Sequence, residues 1–501
     1  MLFLPQDHSL FRERGIREEV LLAQIHQFIH GRNYLKLERP CTVGDGILQL
    51  NAADCHKYLE TFEGFRQHGS IMKLVPASGA ASRMFRHIYQ FNPDNLGDDA
   101  EEFILHFRNF PFVPALEQKL AAKGISLNQL INDNEWQQIF DSILKPWGLG
   151  YMECPKGVVI FHRDKSGEFT AFEEHLYESI AYARDGKGQC RIHFTIPPEQ
   201  ENLIRNIMDE IIRKYPYEHF DITYSTQSPS TDLPALTKDN MPARDQHGNL
   251  IIRPAGHGAL LSNLAALDAD VVFIKNIDNV TTRDQLKDTV FYKKALAGLL
   301  IEIRQKVFNL LDRLDSGSNE ALDQSLEFIQ THFQPGIPIG VSREQLIHYA
   351  RTRLDRPLRV CGMVRNEGEP GGGPFWVKMP DGQISKQIVE KNQVDLHDVM
   401  QSRIADNATH FNPVDIVCSF RNRHGEAYAL EDFVDHGTGI VTDKFHQGKV
   451  IRALELPGLW NGSMALWNTL FCEVPVSTFN PVKTVNDLLR SGHQSACNQK
   501  P

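Results

Sequence analysis

Residues 71–84 read Ile-Met-Lys-Leu-Val-Pro-Ala-Ser-Gly-Ala-Ala-Ser-Arg-Met, and this stretch decides the fold. Its first five residues form a short, mainly apolar run that stops at Pro76, and small residues follow as far as Ser82. Apolar residues then return at helical spacing, at Met84 and Ile88. The pattern predicts a strand, a loop of small residues and a helix.

Apolar runs and helical stripes continue to alternate after this stretch. Helices are predicted over residues 170–183 and about 203–212. Strands are predicted over residues 158–161, 192–196, 220–224, 270–275, 359–364, 375–379, 414–419, 450–454 and 471–474. Such alternation is typical of a mostly parallel sheet covered by helices. We therefore predict an α/β fold, with a mostly parallel mixed sheet, helices on both faces, and N-terminal and inserted helices.

The same patterns predict how the chain is divided. Residues 1–69 are expected to form an N-terminal helical extension, and residues 70–489 the core. Helical insertions are expected near residues 97–150 and 281–356, and a flexible tail over residues 490–501. Residues 366–375 are rich in glycine and form either a loop that covers a substrate or a flexible hairpin connection.

Composition restricts the classes of function. The chain has 501 residues, of which 41% are hydrophobic, and a net charge of −10, so it can bury a large core and has no overall attraction for nucleic acid. The eight cysteines form no C-x-x-C pair and no stretch is apolar enough to span a membrane. We expect a cytoplasmic protein that acts on small soluble molecules and not on nucleic acid or membranes. The sequence does not indicate its oligomeric state.

The loop that follows the first strand carries the first chemical signal. Small residues let backbone N–H groups approach an anion, the start of a helix adds a positive dipole, and Arg83 offers a fork of donors suited to phosphate. A tight turn that only packs a helix on the sheet, with Arg83 in solvent, explains the pattern equally well. The loop matches neither the Walker motif nor the G-x-G-x-x-G fingerprint.

Residues 77–84 also resemble the A-A-G-x-G-T-R-[ML] signature of sugar-phosphate nucleotidyltransferases. This chain departs from it at Ala81, where those enzymes usually carry glycine, and at Ser82, where they carry threonine. The resemblance implies a catalytic role for Arg83. It implies a nucleotide-binding role for Ala77, Ser78, Gly79, Ala80, Ala81 and Ser82.

Further motifs follow in the order that the resemblance predicts. Residues 155–157 (Pro-Lys-Gly) resemble the P-K element of this superfamily, in which the lysine, here Lys156, meets phosphates. Residues 253–258 and 273–279 resemble the P-x-G-H-G and N-I-D-N motifs of UDP-sugar pyrophosphorylases. By that resemblance Asp278 would hold Mg²⁺. Gly256, His257 and Gly258 would lie beside the nucleotide, and so would Gln227, which resembles the glutamine of an F-x-Q-x-x-x-P element of the same enzymes.

Three weaker candidates lie near the end of the chain. Residues 479–489 resemble a segment of UDP-glucose pyrophosphorylases whose lysine, here Lys483, would reach the phosphates. Glu390 matches part of a V-V-E-Y-S-E element and is a candidate sugar contact. Asn461 is a second sugar candidate, although Trp460 beside it is equally expected in a core. Taken singly, Asp278 is more typical of a turn or helix cap, His257 of a structural residue and Lys483 of a solvated side chain.

As a whole the chain is similar to the bacterial domain-of-unknown-function family 4301, which belongs to the nucleotide-diphospho-sugar transferase superfamily. The resemblance implies a GT-A-like, Rossmann-like nucleotidyltransferase core that uses Mg²⁺. The expected substrates are a sugar 1-phosphate and a nucleoside triphosphate, and the motif matches favour uridylyl as the group transferred. The alternatives are a GT-A-type glycosyltransferase, which usually carries a D-x-D motif that is absent here, and a non-catalytic protein that binds a nucleotide sugar.

Overall fold

The computed structural model describes residues 2–30, 34–93, 95–333, 336–368, 371–379, 381–446 and 449–495. The chain forms two compact units, each assembled from three segments. Unit 1 comprises Met1–Phe65, Gln227–Val272 and Ala295–Val474. Unit 2 comprises Arg66–Thr226, Phe273–Lys294 and Pro475–Pro501. Because the chain passes from one unit to the other five times, neither unit corresponds to a continuous segment of sequence.

Within the described residues the α-helices are numbered in chain order. They are α1 (Pro5–Arg14), α2 (Glu18–His30), α3 (Ala52–Phe65), α4 (Arg86–Tyr89), α5 (Asp98–Leu105), α6 (Val113–Ala121), α7 (Leu127–Asn132), α8 (Trp136–Leu144), α9 (Ala171–Tyr182), α10 (Glu201–Arg213), α11 (Leu261–Ala265), α12 (Lys287–Asp315), α13 (Asn319–His332), α14 (Arg343–Leu354) and α15 (Val399–Asp406). The longest of them, α12, begins in unit 2 and continues into unit 1.

The strands of the described residues are numbered in the same way. They are β1 (Lys36–Pro40), β2 (Thr42–Val43), β3 (Gly46–Leu48), β4 (Ile71–Pro76), β5 (Ile160–Asp164), β6 (Gly167–Thr170), β7 (Gln189–Thr195), β8 (His219–Ser225), β9 (Leu233–Pro234), β10 (Ile252–Arg253), β11 (Val271–Ile274), β12 (Leu358–Arg365), β13 (Gly373–Lys378), β14 (Ile384–Val389), β15 (His410–Ser419), β16 (Ile440–His446), β17 (Lys449–Glu455) and β18 (Asn468–Glu473).

The sheet strands of unit 2 are parallel. β4 pairs with β7, and β7 pairs with β8, in both cases parallel. The backbone N–H of Lys275, one residue after β11, donates to the carbonyl of Leu74 on β4 at 3.2 Å. Parallel strands end at the same edge of a sheet, so the segments that follow β4, β7 and β8 share one edge. A core of aromatic and aliphatic side chains from α4–α10 packs around these strands.

Unit 1 has its own run of parallel strands. β2, β3, β18 and β12 pair in parallel in that order, and β15 joins β12 antiparallel. Two antiparallel groups accompany them, β1–β13–β14 and the β16–β17 hairpin. The predicted α/β class with a mostly parallel mixed sheet is therefore confirmed. None of the described helices is both long enough and apolar enough to cross a membrane.

Several local predictions differ from the structure. The predicted helix after the first loop is a 3₁₀ turn, Ala81–Arg83, followed by the four-residue α4, because the loop bonds to residues 154–156 instead of continuing a helix. Such a short helix adds little dipole at the loop. The predicted strand over residues 158–161 begins only at Ile160, after a 3₁₀ turn that ends at Val158, and it belongs to the β5–β6 hairpin and not to the parallel sheet.

The predicted segments compare with the structure as follows. Residues 1–69 contain β1–β3 as well as α1–α3, and residues 97–150 and 281–356 are largely helical. Of the glycine-rich stretch 366–375, residues 369–370 lie outside the described residues, and the segment from Gly373 belongs to β13. Of residues 490–501, predicted as a tail, the structure describes 490–495, where Ser491–His493 form a 3₁₀ helix and His493 is buried.

Candidate functional site

Two lysines share one carboxylate in unit 2. Lys156 Nζ lies 3.0 Å and Lys483 Nζ 2.9 Å from Oδ2 of Asp278. Lys156 Nζ also donates to the carbonyl oxygen of Val482 at 2.6 Å. We call Lys156, Asp278 and Lys483 the open cluster. Its three members come from segments far apart in sequence, and all were candidate site residues.

Backbone hydrogen bonds hold these segments together. The N–H of Val482 donates to the carbonyl of Asp278 at 3.0 Å, and the N–H of Asn480 donates to Oδ1 of Asn279 at 2.9 Å. The N–H of Lys156 donates to the carbonyl of Gly79 at 2.9 Å. The position of the open cluster is therefore set by main-chain pairing between the loop after β4, the Pro-Lys-Gly turn and the segment that carries Lys483.

The loop after β4 presents three successive exposed residues, Ser78, Gly79 and Ala80. Among the described residues their backbone N–H groups donate to no carbonyl, whereas those of Ala77 and Ala81 donate to Thr195 and Cys154. Free consecutive N–H groups in a loop form a concavity that binds anions. A side chain added at Gly79 would meet nothing within 4 Å, so the loop is open to a ligand.

Ala81 does not face the open side of this loop. Its methyl group is fully buried in the core of unit 2, and its N–H donates to the carbonyl of Cys154 at 3.1 Å. The departure from the glycine of the nucleotidyltransferase signature therefore places no methyl group where a ligand would approach. Ser82, the second departure, is half-buried in the 3₁₀ turn.

Arg83 ends this turn and is exposed. In the described part of the chain it forms no hydrogen bond or ion pair. The turn is anchored beside the cluster because the N–H of Val485, two residues after Lys483, donates to the carbonyl of Met84 at 3.0 Å. Arg83 is thus a cation without a partner among the described residues. It lies on the same loop as Gly79, whose carbonyl accepts from the N–H of Lys156.

Burial and charge shift the pKa values of the open cluster. Burial alone would raise the pKa of Asp278, but the ammonium groups of Lys156 and Lys483 outweigh it, and the pKa is lowered. Burial lowers the pKa of Lys156, and Asp278 opposes this effect. The Lys483 side chain is 52% exposed, against 12% for Lys156 and 11% for Asp278. Lys483 is therefore the member most easily turned toward an incoming anion.

The residues around Asp278 supply one carboxylate ligand for Mg²⁺. The nearby carboxylate of Asp487 is occupied, since its Oδ2 accepts from the N–H groups of Lys483 and Thr484, both at 2.7 Å. No group of three or more His, Cys, Asp or Glu side chains suited to a metal occurs within the described residues. Proteins often bind Mg²⁺ through one or two carboxylates together with substrate phosphates. The single carboxylate of Asp278 therefore fits Mg²⁺ only when phosphate oxygens of a substrate complete the set of ligands.

A second cluster of candidate residues lies in unit 1. The imidazole of His257 stacks on the ring of Trp460, with 4.2 Å between centroids. His257 Nε2 is 3.8 Å from Oε1 of Glu390, and Asn461 Nδ2 donates to that same Oε1 at 3.2 Å. Asn461 also donates to Gln393, while its own Oδ1 is buried and has no partner among the described residues. Three candidates from distant motifs thus meet here.

The tautomer of His257 follows from its surroundings. Its Nδ1 accepts from the N–H of Leu459 at 3.1 Å, so the neutral ring carries its proton on Nε2, toward Glu390. Burial lowers the pKa of His257 to about 4, against a smaller opposing effect of Glu455. A side chain at Gly458 would come within 2.5 Å of the His257 ring, and Gly256 has a φ of +77°, so both glycines let the ring lie where it does.

Two remaining candidates stand apart from that contact network. Gly258 packs so closely on Pro457 that an added Cβ would lie 2.1 Å from its carbonyl oxygen, which is a packing role. Gln227 is half-buried, and its Nε2 has no partner among the described residues. Neither observation assigns a ligand to these residues.

Sequence reasoning missed a buried charge cluster in unit 2. Glu178 accepts from Lys73 at 2.8 Å and from Lys275 at 2.6 Å, and each of these side chains is at most 2% exposed. We call these three residues the sealed cluster. His175 Nε2 lies 3.2 Å from the carbonyl oxygen of Ile277, which precedes Asp278. The sequence did contain a signal for this cluster: Lys73 lies within the apolar run 71–75 and Lys275 ends the apolar run 270–275. A charge in such a segment requires a buried partner.

One family profile matches this sequence, and several solved structures are similar to this chain. A sequence profile described as Domain of unknown function (DUF4301) matches residues 5–494. No curated protein matches the sequence. Similar solved structures include the UDP-N-acetylglucosamine pyrophosphorylase of Trypanosoma brucei, at 12% identity and a TM-score of 0.48, over 94% of this chain and 74% of that chain. Another is the UDP-glucose pyrophosphorylase of Leishmania major, at 12% identity and a TM-score of 0.43, over 96% of this chain and 77% of that chain.

Proposed function

The chain belongs to the family described as Domain of unknown function (DUF4301), and we propose that it is a nucleotidyltransferase. It would transfer a nucleotidyl group, uridylyl by the resemblance of its motifs, from a nucleoside triphosphate to a sugar 1-phosphate, with release of pyrophosphate. The observation that carries this proposal is the open cluster: two lysines on one carboxylate oxygen, at 3.0 and 2.9 Å, pinned by the backbone to an exposed loop with free N–H groups.

The charges of this region favour a polyphosphate. Lys156 and Lys483 bring two positive charges against the single carboxylate of Asp278, and exposed Arg83 adds a third. The N–H groups of residues 78–80 add partial positive charge from the backbone. A polyphosphate would meet both fixed cations and backbone donors, which is the combination that phosphoryl-transfer sites use.

The reaction needs positioning and charge neutralisation more than proton transfer. An oxygen of the sugar phosphate attacks the α-phosphorus, the bond from that phosphorus to the bridging oxygen breaks, and pyrophosphate leaves with its electron pair. The attacking oxygen is already anionic, so no general base is required. The barrier arises from the mutual repulsion of two anions and from the charge that spreads over the phosphates.

The two lysines would act by exchanging partners. In the open cluster Asp278 holds both lysine side chains in place, and the Val482 carbonyl also holds Lys156. When phosphate oxygens arrive, Lys483 can turn to them, since about half of its side chain is in solvent. Mg²⁺, which we propose as the cofactor, would be held by Asp278 together with phosphate oxygens and would neutralise phosphate charge.

The cluster in unit 1 suits hydroxyl groups. Glu390 offers a carboxylate whose pKa burial raises, although the hydrogen bond from Asn461 opposes this shift. Asn461 retains an unused buried acceptor, Oδ1, which can receive a hydroxyl proton. We propose that these two residues contact the sugar and that His257, stacked on Trp460, contacts the nucleotide, as the resemblance of its motif implies.

Pyrophosphate release is the test of this function. The full chain with Mg²⁺ is incubated with each of the common nucleoside triphosphates and a panel of sugar 1-phosphates, and pyrophosphate is measured by a coupled assay. We expect release with at least one pair, with UTP as the preferred triphosphate. Transfer of sugar from a UDP-sugar without pyrophosphate release would instead indicate a glycosyltransferase, and nucleotide binding without either reaction would indicate a binding protein.

A thermal-shift titration with the triphosphate tests the site independently of turnover. We expect the triphosphate to raise the melting temperature, because ligands that bind only the folded state stabilise it. Arg83→Gln should weaken the apparent affinity about tenfold, the value of one charge-assisted hydrogen bond. Arg86→Gln is the matched control, since Arg86 is an exposed arginine three residues later whose side chain, among the described residues, bonds only to Gln90. Equal binding by both variants would remove Arg83 from the site.

A further inference from the structure

Unit 1 contains a cavity of about 510 Å³ that the proposed function leaves unused. Its walls come from α14, from β14 and the turn before it, and from the segment that leads into β18. Cavities that bind small molecules typically measure about 300–1,000 Å³. The lining includes no member of the open cluster, and none of His257, Glu390 and Asn461. We call it the α14–β14 cavity.

Three cationic side chains line this cavity, Arg353, Arg356 and Lys386. Within the described residues none of them forms an ion pair with a carboxylate. Arg356 donates to the carbonyls of Thr352 and Leu466, and Lys386 Nζ donates to that of His332 at 2.7 Å. Neutral carbonyls add no negative charge, and of the lining carboxylates only Asp381 acts on the two arginines, so the three cations leave an excess of positive charge that attracts an anion.

The acidic residues of the lining form no ion pair with these cations among the described residues, although the charge of Asp381 acts on Arg353 and Arg356. Asp381 is exposed, and its Oδ1 accepts from the N–H of Gln383 at 2.9 Å. Asp435 Oδ1 accepts from the N–H of Gly437 at 3.0 Å. In each case one carboxylate oxygen therefore accepts a hydrogen bond from the backbone of its own turn. Burial lowers the pKa of Arg356 to about 10 and that of Lys386 to about 8, both above neutral pH.

Two buried donors of the lining have no acceptor among the described residues. They are Nε of Arg353 and Nε1 of Trp467, whose residue is only 4% exposed. An unpartnered buried donor is costly in a folded protein and commonly marks the place of a ligand or an ordered water. Apolar side chains make up much of the remaining wall: Phe333, Tyr349, Met379, Val434, Ala465 and Leu466.

We propose that the α14–β14 cavity binds a small phosphate monoester carried on a ring or other apolar body. A phosphate monoester has a charge of about −1.5 to −2 at neutral pH and three acceptor oxygens. That charge suits three unpaired cations better than the single charge of a carboxylate does. The apolar wall would enclose the body of the ligand while Arg353 and Trp467 donate to its oxygens. This is a binding site additional to the open cluster, which lies wholly in unit 2.

Calorimetric titration with phenyl phosphate tests the proposal. The titration is done on the full chain carrying Lys483→Gln, which weakens anion binding at the open cluster. We expect one phenyl phosphate to bind per chain, at least about tenfold more tightly than inorganic phosphate or benzoate. Inorganic phosphate lacks the ring, and benzoate lacks the second negative charge. Binding of benzoate or inorganic phosphate as tight as that of phenyl phosphate overturns the proposed ligand class, and no heat at millimolar concentration overturns the site.

Two variants locate the binding. Arg353→Gln should weaken binding of phenyl phosphate about tenfold or more, and Trp467→Phe, which removes only the N–H donor, about fivefold. Arg351→Gln is the matched control, because Arg351 lies on the same helix, pairs with Asp315 and does not line the cavity. Unchanged affinity in both variants, with melting curves that show a folded protein, places the binding elsewhere and overturns the proposal.

The result is separable from that of the proposed function. A chain that releases no pyrophosphate but binds phenyl phosphate through Arg353 loses the proposed enzyme activity and keeps this cavity as a ligand site. A chain that releases pyrophosphate but binds no phenyl phosphate keeps the activity and loses the cavity. Melting temperature measured with phenyl phosphate gives a second readout, since a bound ligand raises it.

Discussion

Unit 2 contains two clusters of the same composition, each with two lysines that share one carboxylate. In the sealed cluster Lys73 and Lys275 donate to the two oxygens of Glu178, and each side chain is at most 2% exposed. In the open cluster Lys156 and Lys483 donate to the same oxygen of Asp278, and Lys483 is half in solvent. The charges and distances are nearly equal, so access to solvent is what differs.

This difference indicates which cluster can receive a ligand. In the sealed cluster the three charged side chains are stabilised by one another, because no solvent reaches them. Removal of any one of them leaves an uncompensated charge in a medium of low dielectric. The open cluster can exchange its internal contacts for contacts with an anion, because water already reaches one of its lysines. Composition alone therefore does not mark a site, whereas composition combined with exposure does.

The largest expected effect is on stability, from the sealed cluster. Glu178→Gln should lower the free energy of unfolding by about 3 kcal/mol or more, because it leaves two buried lysines without a counter-charge. Asp278→Asn, the same change in the open cluster, should cost less than half as much, since Lys483 can turn to solvent. Urea unfolding followed by circular dichroism measures both. Equal losses would show that the two clusters do not differ in the way their exposure indicates.

The next effect is on the proposed reaction, from the open cluster. Lys483→Gln should lower the rate of pyrophosphate release about 10²–10³-fold, the usual consequence of losing one preorganised donor to developing charge. The free energy of unfolding should change by no more than about 0.5 kcal/mol, because the side chain is half exposed. Lys187→Gln, at an exposed lysine of the same unit, is the control and should change neither quantity. A similar rate in both variants would exclude Lys483 from the reaction.

The pH dependence of stability should separate the clusters. Burial lowers the pKa of Lys73 to about 7, against the opposing effect of Glu178, so between pH 7 and about 10.5 the unfolded chain binds the extra proton. Stability due to Lys73 is therefore complete above about pH 10.5 and is lost as pH falls through 7, with a slope of up to about 1.4 kcal/mol per pH unit. The pKa of Asp278 is lowered, so its contribution is complete above about pH 4 and lost only below it.

Difference measurements isolate these two contributions from the other titrating groups. Unfolding free energy is measured from pH 3 to 10.5 for the wild type, Lys73→Met and Asp278→Asn. The free energy of unfolding of the wild type should rise relative to that of Lys73→Met as pH rises above 7. Its excess over the free energy of unfolding of Asp278→Asn should disappear only in the acid range. A difference from Lys73→Met that stays flat across the alkaline range would contradict a depressed lysine pKa in the sealed cluster.

The fold was predictable where the chain has strong local patterns. The runs that became β4, β11 and β12 are mostly apolar because strands of a parallel sheet are buried on both faces. β1, with the sequence Lys-Leu-Glu-Arg-Pro, was missed because it is short and polar and gains its place from pairing with β13, far along the chain. The alternation of strands and helices does not reveal two units, since their division depends on contacts between distant segments.

The candidate site was predictable as a set of residues but not as an arrangement. Motif order pointed to Lys156, Asp278 and Lys483, while the sharing of one carboxylate oxygen depends on backbone bonds such as that from Val482 to Asp278. The stacking of His257 on Trp460 likewise requires the tertiary structure. The roles proposed for these residues stay predictions, and so does the Mg²⁺ at Asp278.

The smallest expected effect concerns the residue that departs from the nucleotidyltransferase signature. Ala81→Gly restores the glycine of that signature, yet the buried methyl group of Ala81 faces the core and not the exposed side of the loop. The variant should lose about 1 kcal/mol of stability, from one buried methyl group and a more flexible backbone. Its rate of pyrophosphate release should stay within about twofold of the wild type, because loss of a group that touches no ligand leaves transition-state binding unchanged. A large gain in rate would instead mean that the methyl group limits the approach of phosphate, and that the loop adopts a different conformation with ligand bound.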